Sequence, residues 1–309
     1  MAAMTDVVTR LQGAAPPSIR DRSFWETAAR DPACDGIRRQ AADLADGAQP
    51  RPILAGAADF LAAPRYNDRA RVDRTWHDRK TCAALAMLRC MDGFDADDRA
   101  DNGDFRGQDD RLLEWIWGLL TQPTWAVAAH LRKHDLPDLS DPATLDLAAC
   151  AMAMSLCELQ ELLSPWMDAV SGTLSESIRH EVDRRVLVPF VADHVTLQHA
   201  GWGHVETVRN NWTGVCAGSI LAACQSRLAR GDDRELIRTA RDRAIELLNA
   251  FLERAFSPCG ECEEGLGYWN YGLGFACYGW MRLSGDAFRK RGDLDRLRMV
   301  ADYPRRARL

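Results

Sequence analysis

The chain has 309 residues, 47% of them hydrophobic, with a formal net charge of −6 at pH 7 and a mean hydropathy of −0.30. That length holds one large domain or two ordinary ones. The charge argues against general nucleic-acid binding, and no apolar run is long enough to span a membrane. All of the 39 basic residues except Lys80, Lys133 and Lys290 are arginine. Arginine suits bidentate recognition of carboxylate or sulfate, although a general bias toward arginine, alanine and aspartate accounts for most of the excess.

Residues 1–20 carry no basic segment followed by an apolar one, so no signal peptide is read there. They are expected to be poorly ordered, and the sequence as written points to the cytoplasm. Helices are predicted at 22–31, 36–47, 77–91, 110–121, 142–163, 174–197, 212–230, 235–252 and 271–284. In 235–252 the apolar residues Leu236, Ile237, Ala240, Ala244, Leu247, Leu248 and Phe251 make one helical stripe, with Arg238, Arg241, Asp242 and Glu246 off it. Segment 142–163 is apolar nearly all round, which marks a buried helix. The breaks are short: Ala63-Pro64, the polar run 95–109, Leu136-Pro137-Asp138, Asp141-Pro142 and the loop 256–267. There is no alternating strand pattern, no hairpin signal and no repeat of fixed period. The expected fold is an all-α array or toroid in a single domain, 1–309.

The ten cysteines lie mostly in apolar helical stretches and read as free thiols. Cys259 and Cys262 form one CxxC, but a zinc site needs four ligands and no second pair supplies them. No metal or other cofactor is expected. The run Asp95–Arg111 misses calcium-loop spacing at Ala100 and Asp109 and reads as a solvated acidic loop. Trp115 and Trp117 read as core and wall.

Two stretches stand apart. The first is Trp202-Gly203-His204, then Asn210-Asn211-Trp212-Thr213 leading into a helix rich in Gly and Ala. An asparagine before a helix is a good N-cap, and the small residues that follow let another helix or a ligand come close. The sequon Asn211-Trp212-Thr213 reads as coincidence. The second stretch runs from Phe256 through a glycine-rich loop with Glu261, Glu263 and Glu264 to Tyr268-Trp269-Asn270-Tyr271-Gly272. It reads either as a packed aromatic cluster or as an aromatic-lined sugar site.

An Asn-Asn-aromatic step followed by Glu-Gly-x-x-Tyr-Trp-x-Tyr-Gly resembles the heparinase II/III-type polysaccharide lyases and related alginate lyases. Trp125, His130, Leu136-Pro137-Asp138 and Asp146 fit the same pattern, so the resemblance covers roughly residues 20–290. It implies an incomplete (α/α) toroid of antiparallel helix pairs. Relatives continue into a β-sandwich, whereas this chain stops at Leu309, so the toroid is expected here without it: a fragment, a truncated product or a stand-alone toroid.

The resemblance also implies the chemistry. Such lyases remove the C5 proton of a uronic acid and expel the O4 substituent. Asn211 is the implied donor that stabilises charge on the substrate carboxylate. Tyr268 is the implied acid, and also the base if it ionises, which an ordinary tyrosine with a pKa of about 10 does poorly at neutral pH. Asn210, Trp212, His204, Trp202, Glu264, Trp269 and Tyr271 are expected to contact substrate. The expected partner is an acidic polysaccharide or oligosaccharide, with no nucleic acid and no membrane, and relatives are often periplasmic or secreted. Trp212 departs from the pattern: several relatives carry histidine there, and an indole N–H only donates. His204 or His199 are the candidates to compensate. Two other readings stay open, a non-catalytic sugar-binding toroid and a helical-toroid glycoside hydrolase. The hydrolase needs two carboxyl groups facing each other, with Glu261, Glu263, Glu264 and Asp193 available.

Overall fold

The structure is a computed structural model that describes residues 21–49, 51–52, 56–61, 69–91, 107–131, 136–139, 144–192, 202–283 and 294–307. The expectation of poor order in 1–20, most of the acidic run 95–109, Asp193 and His199 lie outside the described residues. Among the described residues every regular element is helical and there is no strand, in agreement with the all-α expectation. Among the described residues no helix is long and apolar enough to cross a membrane. No disulfide joins any of the ten cysteines, and most are buried.

The described residues divide into two compact units, one within Pro17–Thr144 and Ser155–Val186, the other within Leu145–Met154 and Leu187–Leu309.

The first unit begins with α1 (Arg22–Arg30), whose first turn is capped by the Asp21 carboxylate accepting from Ser23 N–H at 3.0 Å. A 3-10 turn leads into α2 (Asp35–Asp46), and α3 (Ala57–Leu61), α4 (Arg69–Met91) and α5 (Gly107–Leu120) follow. α2 and α5 both pack on α4. Buried tryptophans find partners for their polar ends: Trp115 Nε1–H donates to Gln49 C=O and Trp125 Nε1–H to Leu119 C=O, both at 3.0 Å. A buried Arg89–Asp109 ion pair at 2.8 Å joins α4 to α5. Asp78 is buried on α4, and burial pushes its carboxyl up to about 6, with His77 and Arg74 pulling the other way. Burial also pushes the neighbouring Cys82 thiol up to about 12, and the Asp78 carboxylate adds to that.

Further along lie α6 (Leu147–Leu162), α7 (Ser164–Val170) and α8 (Gly172–Val182). α8 continues through a π turn (Asp183–Leu187) into α9 (Val188–Val191). The predicted single helix over 174–197 is thus interrupted. Pro189 explains the π turn, because it has no N–H for the bond to Arg185 C=O and its ring would crowd that carbonyl.

The second unit is built around α10 (Asn211–Ala229), which is buried along nearly its whole length. α11 (Glu235–Arg254) buries the predicted stripe from Ile237 to Phe251, and α12 (Leu266–Met281) and α13 (Leu294–Arg306) complete the unit. α10 and α12 touch backbone to backbone. A Cβ on Gly214 would come within 2.5 Å of Gly272 C=O, and one on Gly272 within 2.9 Å of Asn211 Cα. Farther along, Gly218 faces Phe275 and Ala276, and Gly279 faces Gly218. The pairings rise together in number, so the two helices run parallel. Phe251, near the end of α11, packs on Gly214 near the start of α10, so α11, which joins α10 to α12 along the chain, runs antiparallel to α10. The small residues noted in the sequence therefore admit a helix.

Candidate functional site

The start of α10 gathers the first set of candidate residues. Asn210, with extended backbone at φ −139° and ψ 175°, is the N-cap, and its side chain accepts from Trp212 N–H at 3.2 Å. The predicted helix began at Trp212; it begins at Asn211, which leaves Asn211 inside the first turn with a free backbone N–H. That N–H donates to Glu264 Oε2 at 2.8 Å, and Asn211 Nδ2 donates to both Glu264 oxygens at 2.9 Å. A carboxylate is thus held at a helix N-terminus, where the aligned peptide dipoles favour negative charge. Asn211 is 3% exposed, and its Oδ1 is enclosed with no hydrogen-bond partner among the described residues. Asn211 and Thr213 are buried, so the sequon is not presented to solvent.

Glu264 sits on an exposed turn. The loop before it is tied by its own polar groups: Ser257 Oγ accepts from Cys259 N–H and Glu261 N–H, and Ser257 N–H donates to Glu261 C=O at 2.8 Å. Gly260 adopts φ +84°, and a Cβ there would meet Met299 C=O and Val300 Cα at 2.9 Å, so only glycine fits. From α13, Arg296 donates to the carbonyls of Leu252, Phe256 and Ser257, and Arg306 to those of Cys259 and Met299. These two arginines position the loop and were missed in the sequence. Their partners are backbone carbonyls far along the chain, which leave no motif.

Gly265, at φ +88°, is the residue from which α12 starts, and Trp269 N–H donates to its carbonyl at 2.9 Å. The helix therefore begins earlier than the predicted 271, and Tyr268, Trp269 and Tyr271 lie within its first turns. They point different ways. Trp269 is buried on the face that carries Gly272, with its indole N–H unpartnered. Tyr268 is 55% exposed. Tyr271 is half-buried and meets Phe275 edge to face at 5.5 Å. Tyr268, Tyr271, Phe275 and Tyr278 follow helical spacing along one flank of α12. Among the described residues no hydrogen bond joins Asn211 to Tyr268; the contact that the fold makes is Asn211 with Glu264.

The upstream candidates serve the core. Trp202 is 2% exposed, stacked on Phe190 with ring centres 6.1 Å apart, and its carbonyl accepts from Thr213 Oγ1 at 2.9 Å. Arg243 lies over the Phe190 ring and donates to the carbonyls of Phe190 and Gly203. Trp212 is buried, and half-buried His204 accepts through its carbonyl from Thr207.

No group of three or more His, Cys, Asp or Glu side chains gathers for a metal among the described residues. In the CxxC, Cys259 is exposed and Cys262 buried. Chemically, the assembled contact can hold a carboxylate by three donor contacts, and the Tyr268 phenol faces solvent on the helix that follows Glu264. Comparison with known proteins adds no family to this geometry: no family model matches the chain, and no curated protein matches it.

Proposed function

We propose that this chain is a polysaccharide lyase of the heparinase II/III type, built on an incomplete (α/α) toroid and acting by β-elimination on an acidic polysaccharide or oligosaccharide. The observation that carries the reading is Asn211: a buried amide and a helix N-terminal N–H together grip a carboxylate, the group a uronic acid offers. The alternation of α10, α11 and α12, with α10 and α12 parallel and the helix that joins them along the chain antiparallel to α10, is the arrangement an (α/α) toroid repeats, which supports the fold part of the proposal.

In this mechanism Asn211 donates to the substrate carboxylate and stabilises the charge that builds there as C5 loses its proton. Tyr268 gives its phenol proton to the departing O4 and is restored by the C5 proton. The C4–O4 bond breaks and a C4–C5 double bond forms. Exposed Tyr268 is free to meet a polymer, and Tyr271 offers a further ring on the same flank.

The alternative is a non-catalytic carbohydrate-binding toroid. It draws support from the same contact, because the Asn211 donors are already taken by the chain's own Glu264 and Trp212 is buried where several relatives carry histidine. Incubating the purified chain with heparan sulfate, hyaluronan, chondroitin and alginate, and reading the ultraviolet absorbance of the new double bond, separates the two. The lyase gives absorbance on at least one polymer, and Tyr268→Phe lowers its rate by about a hundredfold or more. Silence on every polymer favours the binding toroid.

A further inference from the structure

The partners in the Asn211–Glu264 contact are unequal. The receiving side is rigid: Asn211 is 3% exposed and lies in the first turn of a 19-residue helix, with Gly272 packed against its Cα. The occupant comes from an exposed turn, next to a glycine at φ +88° around which a Cβ would meet nothing within 4 Å. The contact also leaves one need unmet. The Asn211 amide gives both its donor and its neighbouring N–H to Glu264, while its Oδ1 stays buried with no partner among the described residues. A carboxylate has no hydrogen to offer that oxygen, and an enclosed, unpaired acceptor is destabilising.

We propose that Asn211 is the centre of a ligand carboxylate site which Glu264 fills in the resting chain, and that a hydroxylated carboxylate exchanges with it. A uronate matches both halves of the amide, its carboxylate taking the donors and a sugar hydroxyl donating to Oδ1. Glu264 thereby acts as a resident competitor that sets how tightly the site takes its ligand and selects against simple carboxylates. The identity of the ligand rests on the lyase reading; the exchange itself does not.

The test is calorimetric titration of the full chain with sodium glucuronate, sodium acetate and glucose. Glu264→Ala should bind glucuronate at least tenfold more tightly than the native chain and more tightly than acetate, with no binding of glucose, and adding Asn211→Ala should abolish the gain. Glu264→Gln keeps the side-chain shape, loses the charge and should give a smaller gain, so it carries the test if the alanine variant does not fold. Equal glucuronate affinity in the native chain and in the folded Glu264 variants overturns the proposal, as does a gain that survives loss of Asn211. The two readings fail separately. Tighter binding with no unsaturated product from any polymer keeps the carboxylate site and removes the lyase. An active lyase whose Glu264 variants bind no more tightly keeps the lyase and removes the exchange with Glu264.

Discussion

At its C-terminal end, α10 is closed by Asp232, five residues past the Arg227 that holds it, at 2.9 Å to Nε. At its N-terminal end it is closed by Glu264, 53 residues from Asn211 in sequence. The near clamp is local and strongly charged. Arg227 is 1% exposed, Arg234 adds two hydrogen bonds, and Asp232 N–H returns to Arg227 C=O. Burial works against the Asp232 carboxylate, but the hydrogen bonds from Arg234 and Arg227 outweigh it and hold the group well below the ordinary carboxylate range. The far clamp has a neutral amide against an exposed carboxylate, and it leaves one acceptor open. The first arrangement is built to stay shut; the second is the kind a ligand can enter.

Both ends depend on the seam between α10 and α12, so the largest expected effect lies there. Gly218→Ala drives a methyl into the Phe275 backbone and should cost about 3 kcal/mol or more, read by denaturant unfolding. A small loss would mean that the helices separate easily. Asp232→Asn should cost about 3 kcal/mol at pH 7, because it removes the negative charge that pairs with the buried Arg227 guanidinium. The sign with pH follows from the lowered carboxyl: its contribution is full above the unfolded value of about 4 and is lost as pH falls below that. The variant should therefore approach the native chain in stability in acid.

Asn211→Ala removes the far clamp and should cost less, about 2 kcal/mol, since the freed Glu264 returns to water. A loss as large as that of Asp232→Asn would make the two ends alike. The smallest effect is expected in the other unit and with the opposite sign. Burial pushes the Asp78 carboxyl up to about 6, so its penalty is absent below about pH 4, grows toward 6 and is full at 7. Asp78→Asn should gain about 1–2 kcal/mol at pH 7 and nothing at pH 4.

The sequence exposed the helices that carry a periodic stripe, α11 above all, the buried character of α6 and the small residues of α10 that admit a close neighbour. It did not expose α3 and α7, which are too short to show a period, or α13, whose arginines act on distant carbonyls. The beginnings of α10 and α12 were displaced for different local reasons. Asn210 rather than Asn211 takes the cap, and a left-handed glycine, Gly265, permits an earlier start. At the site, the residue types were legible but the pairing was not. Asn211 and Glu264 were both singled out, yet an amide and an acid separated by two helices and a loop carry no mark in sequence that they meet. Trp202 and Trp269 are similar cases: an aromatic beside a polar motif reads as a sugar platform until burial assigns it to the core.

The most direct measurement is the rate at which the native chain and Asn211→Ala form the C4–C5 double bond on the uronate polymer that the native chain prefers. The account predicts absorbance from the native chain and a loss of about a hundredfold or more in the variant, which remains folded at the assay temperature. A native chain silent on every uronate polymer, or a variant that keeps its rate, would contradict it.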